Sequence, residues 1–167
     1  MKILVLSDTH GFNDTMFEVI RRESPFDMLI HCGDLEGAYE QLRDRVNCSL
    51  HVVAGNNDYD PDMDRVKSFD IGRYRAVLTH GHRYRLYSDM SPLYYLAAEN
   101  HADFVFFGHT HVPTIKVEGP VTLINPGSLT YPRQHGRLPS YIVGTIEDGN
   151  SPFFEIKYIS DEDIPAS

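Results

Sequence analysis

The chain has 167 residues, of which 41% are hydrophobic, and a formal net charge of −9. That length fits one domain with a substantial core, and the hydrophobic share is ordinary for a globular protein. The acid excess argues against a broad basic surface for a nucleic-acid backbone, and no apolar run approaches the roughly 20 residues that span a bilayer. The opening Met1-Lys2-Ile3-Leu4-Val5-Leu6 reaches Ser7-Asp8 too early for a signal peptide. Cys32 and Cys48 form no spaced framework, and Cys32 reads as a small core residue. These features together point to the cytoplasm.

In chain order, a strand at 3–6 is followed by a helix that Asn13 or Asp14 can cap, running to about Glu23 and ended by Pro25. A strand at 27–31 leads through Gly33-Asp34 into a helix at roughly 37–46, and a third strand follows at 50–54. Repeated strand–helix–strand units imply right-handed crossovers and a parallel sheet. Residues 65–71 and 73–79 flank Gly72 as a hairpin. Ser91-Pro92 starts a helix to about Asn100, with a hydroxyl cap and a proline at the first helical position. Strands are then expected at 104–107, 114–117, 121–124, 140–146 and 153–158, the last two joined by a turn at Gly149-Asn150. The pattern fits an α/β protein of two stacked mixed sheets with helices outside. The run Ser160-Asp161-Glu162-Asp163 reads as a solvated acidic tail.

Five polar motifs each end an apolar run: Asp8-Thr9-His10, Gly33-Asp34, Gly55-Asn56-Asn57-Asp58, His80-Gly81-His82 and Gly108-His109-Thr110-His111. Sites in open α/β sheets gather outside the carboxyl ends of strands, so five strand ends deliver carboxylates, imidazoles and an amide to one edge. Hard oxygen and borderline nitrogen donors without thiolate suit a pair of first-row divalent ions. Each motif alone is weak; their fixed order, each after a strand, is what carries the reading. His109 and His111 are expected to share a face, as residues i and i+2 of an extended segment.

At these residues the chain resembles the calcineurin-like metallophosphoesterases, from residue 3 to about 147. Its short length and Asn125-Pro126-Gly127-Ser128 resemble the small YfcE-type phosphodiesterase branch. The resemblance implies a four-layer αββα sandwich and a single domain, 1–167, with the acidic tail from about 160. It further implies that Asp8, His10 and His111 hold one metal, that Asn56, His80 and His109 hold a second, and that Asp34 bridges them. The implied function is a metal-dependent phosphodiesterase in which a hydroxide bridging two ions, about 3.5–4 Å apart, attacks phosphorus. Manganese is the first choice, with iron, zinc, nickel or magnesium as alternatives. The implied partner is a small phosphoester, with no membrane and with a homodimer or higher homo-oligomer left open.

Other polar residues are assigned from their position. Asp58 and His82 are the catalytic candidates beyond the ligands, Asp58 by orienting the loop and His82 by touching a phosphate oxygen. Asn57, His82 and Arg133 are the substrate-binding candidates. Many members of the superfamily have histidine where this chain has Asn57, and an amide cannot act as a general acid at neutral pH. His31 is expected beneath the site, and His51 and His101 in structure or on the surface. Tyr84, Tyr87, Tyr94 and Tyr95 read as core or subunit contact. Two rival readings stand beside the diesterase. One is a metal-poor scaffold of the same fold, as in the retromer coat; the other is a nucleotide or phosphoprotein phosphatase. Seven retained donors argue against the scaffold.

Overall fold

The computed structural model describes residues 1–160, so the acidic run Asp161-Glu162-Asp163 lies outside the described residues. The described residues form ten strands and three helices. In order they are β1 (Lys2–Leu6), α1 (Asn13–Glu23), β2 (Met28–His31), α2 (Tyr39–Arg45), β3 (Ser49–Val52), β4 (Val66–Ile71), β5 (Tyr74–Thr79), α3 (Ser91–Asn100), β6 (Phe104–Phe106), β7 (Thr114–Glu118), β8 (Val121–Asn125), β9 (Ser140–Thr145) and β10 (Phe153–Tyr158). One sheet has the order β10-β9-β1-β2-β3 and the other β4-β5-β6-β8-β7. Within the first, β1, β2 and β3 run parallel; within the second, β5, β6 and β8 do. The hairpins β4–β5 and β9–β10 and the strand β7 add antiparallel edges.

Alternation along the strands builds the layers, because successive side chains point to opposite faces. Ile3 and Val5 of β1 face the second sheet and meet Leu78, Phe106 and Ile124 in the central core. Leu4 and Leu6 face outward, onto Met16, Val19 and Ile20 of α1 and Leu42 of α2. On the far side, Val77, Val105 and Leu123 pack against Leu93, Leu96 and Ala97 of α3. The result is the expected helix–sheet–sheet–helix sandwich.

Both expected side-chain caps differ in detail. α1 starts at Asn13 behind Phe12 with no side-chain cap, and Asp14 sits in its first turn, where its charge favours the helix dipole. Ser91 is already helical; its backbone N–H and its hydroxyl both donate to Asp89 Oδ1, at 2.9 and 2.7 Å, so the capping group lies two residues earlier.

The end of α1 is fastened to the first sheet by one buried carboxylate. Glu23 accepts hydrogen bonds from Tyr141 (2.8 Å) and Lys157 (2.9 Å), and pairs with Lys2 at 2.9 Å. Burial raises its pKa, but the bonds from Lys2, Lys157 and Tyr141 outweigh this and hold the carboxyl at about 2. A depressed pKa contributes stability above the ordinary carboxylate value, and that contribution is lost as pH falls toward about 2. Glu23→Gln should therefore destabilise the protein by about 2 kcal/mol at neutral pH. Urea denaturation from pH 7 to 3 should show the gap to wild type narrowing at the acid end. A gap independent of pH would remove the charge from the explanation.

Candidate metal centre

The parallel strands of both sheets end on one edge, and the chain turns sharply as it leaves them. Asp8 (φ 53°), His10 (48°), Asp34 (56°), His109 (67°) and His111 (57°) all adopt the left-handed backbone region. Non-glycine residues seldom do so, and such conformations gather where surrounding structure enforces them for function. The extended conformation expected for His109–His111 is therefore corrected: a bend at both residues, not strand alternation, sets their directions.

Hydrogen bonds between neighbouring loops hold these turns. Asp8 N–H donates to Gly33 O (3.1 Å) and His10 N–H to Asp34 O (2.9 Å). Ser128 Oγ donates to Asp8 O (2.8 Å), and Asn125 Nδ2 donates to both Gly108 O and Thr110 Oγ1 at 3.0 Å. Asp58 accepts from four backbone N–H groups, those of Asp34 (2.7 Å), Leu35 (3.3 Å), Glu36 (2.7 Å) and Gly55 (2.8 Å). Its carboxylate is thus engaged in tying the loop after β2 to the loop after β3.

Three histidines have their Nδ1 edge fixed by an oxygen: His80 by Cys32 O (2.8 Å), His111 by Tyr131 O (2.7 Å) and His10 by Glu36 Oε1 (2.8 Å). A carbonyl or carboxylate can only accept, so Nδ1 carries the proton and Nε2 of the neutral ring is left as a donor to a cation. Those Nε2 atoms converge. His111 Nε2 is 3.0 Å from Asp8 Oδ1 and 3.4 Å from His10 Nε2. His80 Nε2 is 3.5 Å from Asp34 Oδ2 and 3.1 Å from Asn56 Oδ1. Two groups each bring three such atoms within 4.8 Å: Asp8, His10 and His111, and Asp8, Asp34 and His80. Asp34 Oδ2 also lies 3.7 Å from His10 Nε2, so it reaches toward both. His109 enters from the side, its ring centroid 5.2 Å from that of His80.

Asp8 provides a test of whether these residues suit a metal pair. It is fully buried, and its Oδ2 accepts from Ser7 Oγ (2.5 Å) and His109 N–H (3.1 Å). Its Oδ1 has no hydrogen-bond donor. A buried carboxylate oxygen facing imidazole lone pairs is costly without a cation, so the donor set fits divalent ions. Without a cation, the histidines themselves must offset these carboxylates. Burial raises Asp8, but the contact with His111 and the field of His80 outweigh it and leave its pKa lowered. Burial likewise raises Asp34, and His80 and Asn57 outweigh it. His80 is drawn up by Asp34 and Asp8 against its burial. His109 is pushed down to about 4, first by burial and then by His80.

The remaining candidates fall around this cluster. Asn57 donates to both oxygens of Asp34, from its backbone N–H and its Nδ2, each at 2.8 Å. His82 lies 5.5 Å from His80, ring to ring, and its pKa is lowered by burial and by His80. Arg133 Nη1 donates to Tyr87 Oη (2.7 Å), and Tyr87 Oη donates to His109 O (3.2 Å). Tyr87 thus stands at the site, whereas sequence reading placed it in a core or subunit contact; Tyr84 and Tyr94 do pack into the outer core. His31 is buried below, 3.3 Å from Thr9 Oγ1, and burial pushes it down to about 4. His51 stacks on Phe69 at 3.7 Å and His101 caps α3, both structural. Sequence reading assigns no site role to Glu36 or to the Ser7 and Ser128 hydroxyls. A carboxylate two residues after Asp34 was the available signal for Glu36.

Comparison with known proteins gives the same direction. Residues 1–149 match the calcineurin-like phosphoesterase superfamily domain. YsnB of Bacillus subtilis, named a probable metallophosphoesterase, is 34% identical over 151 residues, covering 89% of this chain and 86% of the relative. YfcE of Escherichia coli K12, named a phosphodiesterase, is 27% identical over 175 residues, covering 87% and 91%. The crystal structure of a predicted phosphoesterase from Streptococcus pneumoniae superposes with a TM-score of 0.79 at 29% identity, covering 96% of this chain and 90% of that one.

Close approach at the site requires glycine. A Cβ on Gly55 would lie 2.1 Å from Asp34 Oδ1, and one on Gly108 would lie 2.1 Å from Ser7 Oγ and 2.7 Å from Asp8 Oδ2. Gly55→Ala should displace the Asp34 carboxylate. Manganese affinity should fall about tenfold or more, and stability by about 1–3 kcal/mol. Calorimetric titration and urea denaturation measure the two. A folded variant with unchanged affinity would show that Asp34 does not depend on this contact.

Proposed function

The chain belongs to the calcineurin-like phosphoesterase superfamily, and from that membership and the convergent donors we propose that this metallophosphoesterase is a phosphodiesterase working on two metal ions. The observation that carries the reading is Asp8 Oδ1, buried without a donor among imidazole Nε2 atoms. Asp8, His10 and His111 would hold one ion, and Asn56, His80 and His109 the other, with Asp34 between them. Manganese suits the oxygen-and-imidazole set best. When bound, such a pair supplies Lewis acidity and an acidified water as nucleophile.

The protein's own part is orientation. Cys32 O, Tyr131 O and Glu36 fix three ring directions, and Asn57 and Asp58 fix the Asp34 loop. Arg133, exposed beside His109, would take a non-bridging phosphate oxygen. A protein-binding scaffold gains nothing from left-handed ligands or an unpaired buried carboxylate oxygen, and this favours the enzyme.

With manganese added, the protein should hydrolyse an activated aryl phosphodiester, and Asp34→Asn should lower the rate about a hundredfold or more. Chelation should lower the melting temperature, since binding at a hundred times Kd adds about 2.7 kcal/mol. No turnover with any of manganese, iron, zinc, nickel or magnesium would favour the scaffold.

Leaving groups test position 57. Its amide has no proton to give at neutral pH, so rates should fall steeply as the leaving-group pKa rises. A placed general acid contributes about a hundredfold or more, so Asn57→His should help alkyl leaving groups selectively. A shallow wild-type dependence, with product release excluded as the slow step, would place the donor elsewhere, and His82→Ala in the same series would identify or exclude His82.

A further inference from the structure

Beside the cluster lies a cavity of about 460 Å³, between the loop that enters α2 and the loop that follows β3. Its inner wall includes Asn57 and Glu36, the residues that touch Asp34 and His10. It therefore adjoins the centre described above, with Asn57 and Glu36 between the two. That volume is in the range of small-molecule sites. Leu35, Tyr39 and Met63 give it an apolar lining, and Tyr59, 87% exposed, stands at its mouth.

Its charge is one-sided. Glu36, Glu40, Asp58 and Asp60 line it and no lysine or arginine does. Asp62 and Asp64 extend the run along the same loop before Arg65 is reached. Asp58 is taken up by backbone N–H groups, Glu36 accepts from His10 and Glu40 pairs with Arg43, which leaves Asp60 to set most of the potential. None of these outer acids belongs to a group able to hold a metal ion among the described residues. An apolar chamber with an exposed ring and a negative wall, beside a proposed phosphate-binding centre, suits the organic part of an ester.

We infer that this cavity receives one alcohol of the diester, and that it selects a ring-bearing alcohol that is uncharged or cationic over one with a further negative charge. The inference rests on the phosphodiesterase reading for the anchor, while its specificity comes from Tyr59 and Asp60. Tyr59 would stack on the ring, and the carboxylates would repel a second anion through a partly screened field.

The test uses monomethyl benzylphosphonates, whose ring is attached through a P–C bond, bearing a para methyl, trimethylammonium or carboxylate group. Dissociation constants are measured by calorimetry on the manganese-loaded protein, with inorganic phosphate as the reference for the centre alone. The methyl and trimethylammonium probes should bind about threefold to tenfold more tightly than the carboxylate probe. Asp60→Asn should narrow the gap between the cationic and anionic probes. Tyr59→Ala should weaken all three and leave phosphate unchanged. Binding indifferent to the para charge, no binding by any ring probe, or a Tyr59→Ala variant equal to wild type would overturn the inference. Turnover of the aryl diester is scored separately. Hydrolysis without para-group preference rejects the cavity alone, whereas ring-probe preference without hydrolysis rejects the diesterase alone.

Discussion

The position of Asp8 constrains everything around it. Its carboxylate is wholly buried at the end of β1, one oxygen accepting from Ser7 and His109 and the other facing Nε2 of His111 with no donor. Such a group is costly to desolvate, so the fold must both hold it there and present it to positive charge. The holding is done by the loops of other strands. Gly33 O accepts its N–H and Ser128 Oγ donates to its carbonyl, and Gly108 leaves the space its Oδ2 needs. Residues 33, 108 and 128 follow strands in both sheets, so the site forms only when the two sheets are packed.

The central core supplies the rigidity that strained turns need. Ile3, Val5, Ile30, Leu78, Phe106 and Ile124 interlock across the sandwich, and a close-packed interior of this kind resists small displacements. The same strands that contribute these side chains end in the ligand loops, so a shift of either sheet would move donors by a comparable amount. Local strain at Asp8, His10, Asp34, His109 and His111 costs of order 1–3 kcal/mol each, and the packed sheets offset it.

Much of this was legible in the chain. Apolar runs followed at once by Asp8-Thr9-His10, Gly33-Asp34 or His80-Gly81-His82 mark buried strands ending in polar turns. What escaped was geometry that depends on distant neighbours. The bend at His109–His111 is set by the Asn125 amide and Tyr131 O, which a local reading of an i, i+2 pair cannot contain. Glu36 and Tyr87 touch the site only because the loops after β2 and β5 fold back over it. The expected caps are not used because the loops place Phe12 and Met90 at the two helix starts, and the N–H of Ser91 is taken by Asp89.

Charge is distributed unevenly around the centre, and this gives the net −9 a local meaning. Arg133 and Arg137 line an open cleft with Tyr131, whose ring lies 5.2 Å from that of His10. Glu36, Glu40 and Asp60 line the cavity reached through Asn57. These two recesses share no residue, so on the proposed reading a phosphodiester would meet basic side chains in one and acidic ones in the other. Attraction for the phosphate and repulsion of further anions are then separate in space and can be tuned separately. Cationic residues near His109 and His111 would draw a singly charged ester toward the candidate donors, while the carboxylates would bias which of its two alcohols points into the chamber. Orientation of a diester would in this way follow from the field before any direct contact with the ring is made.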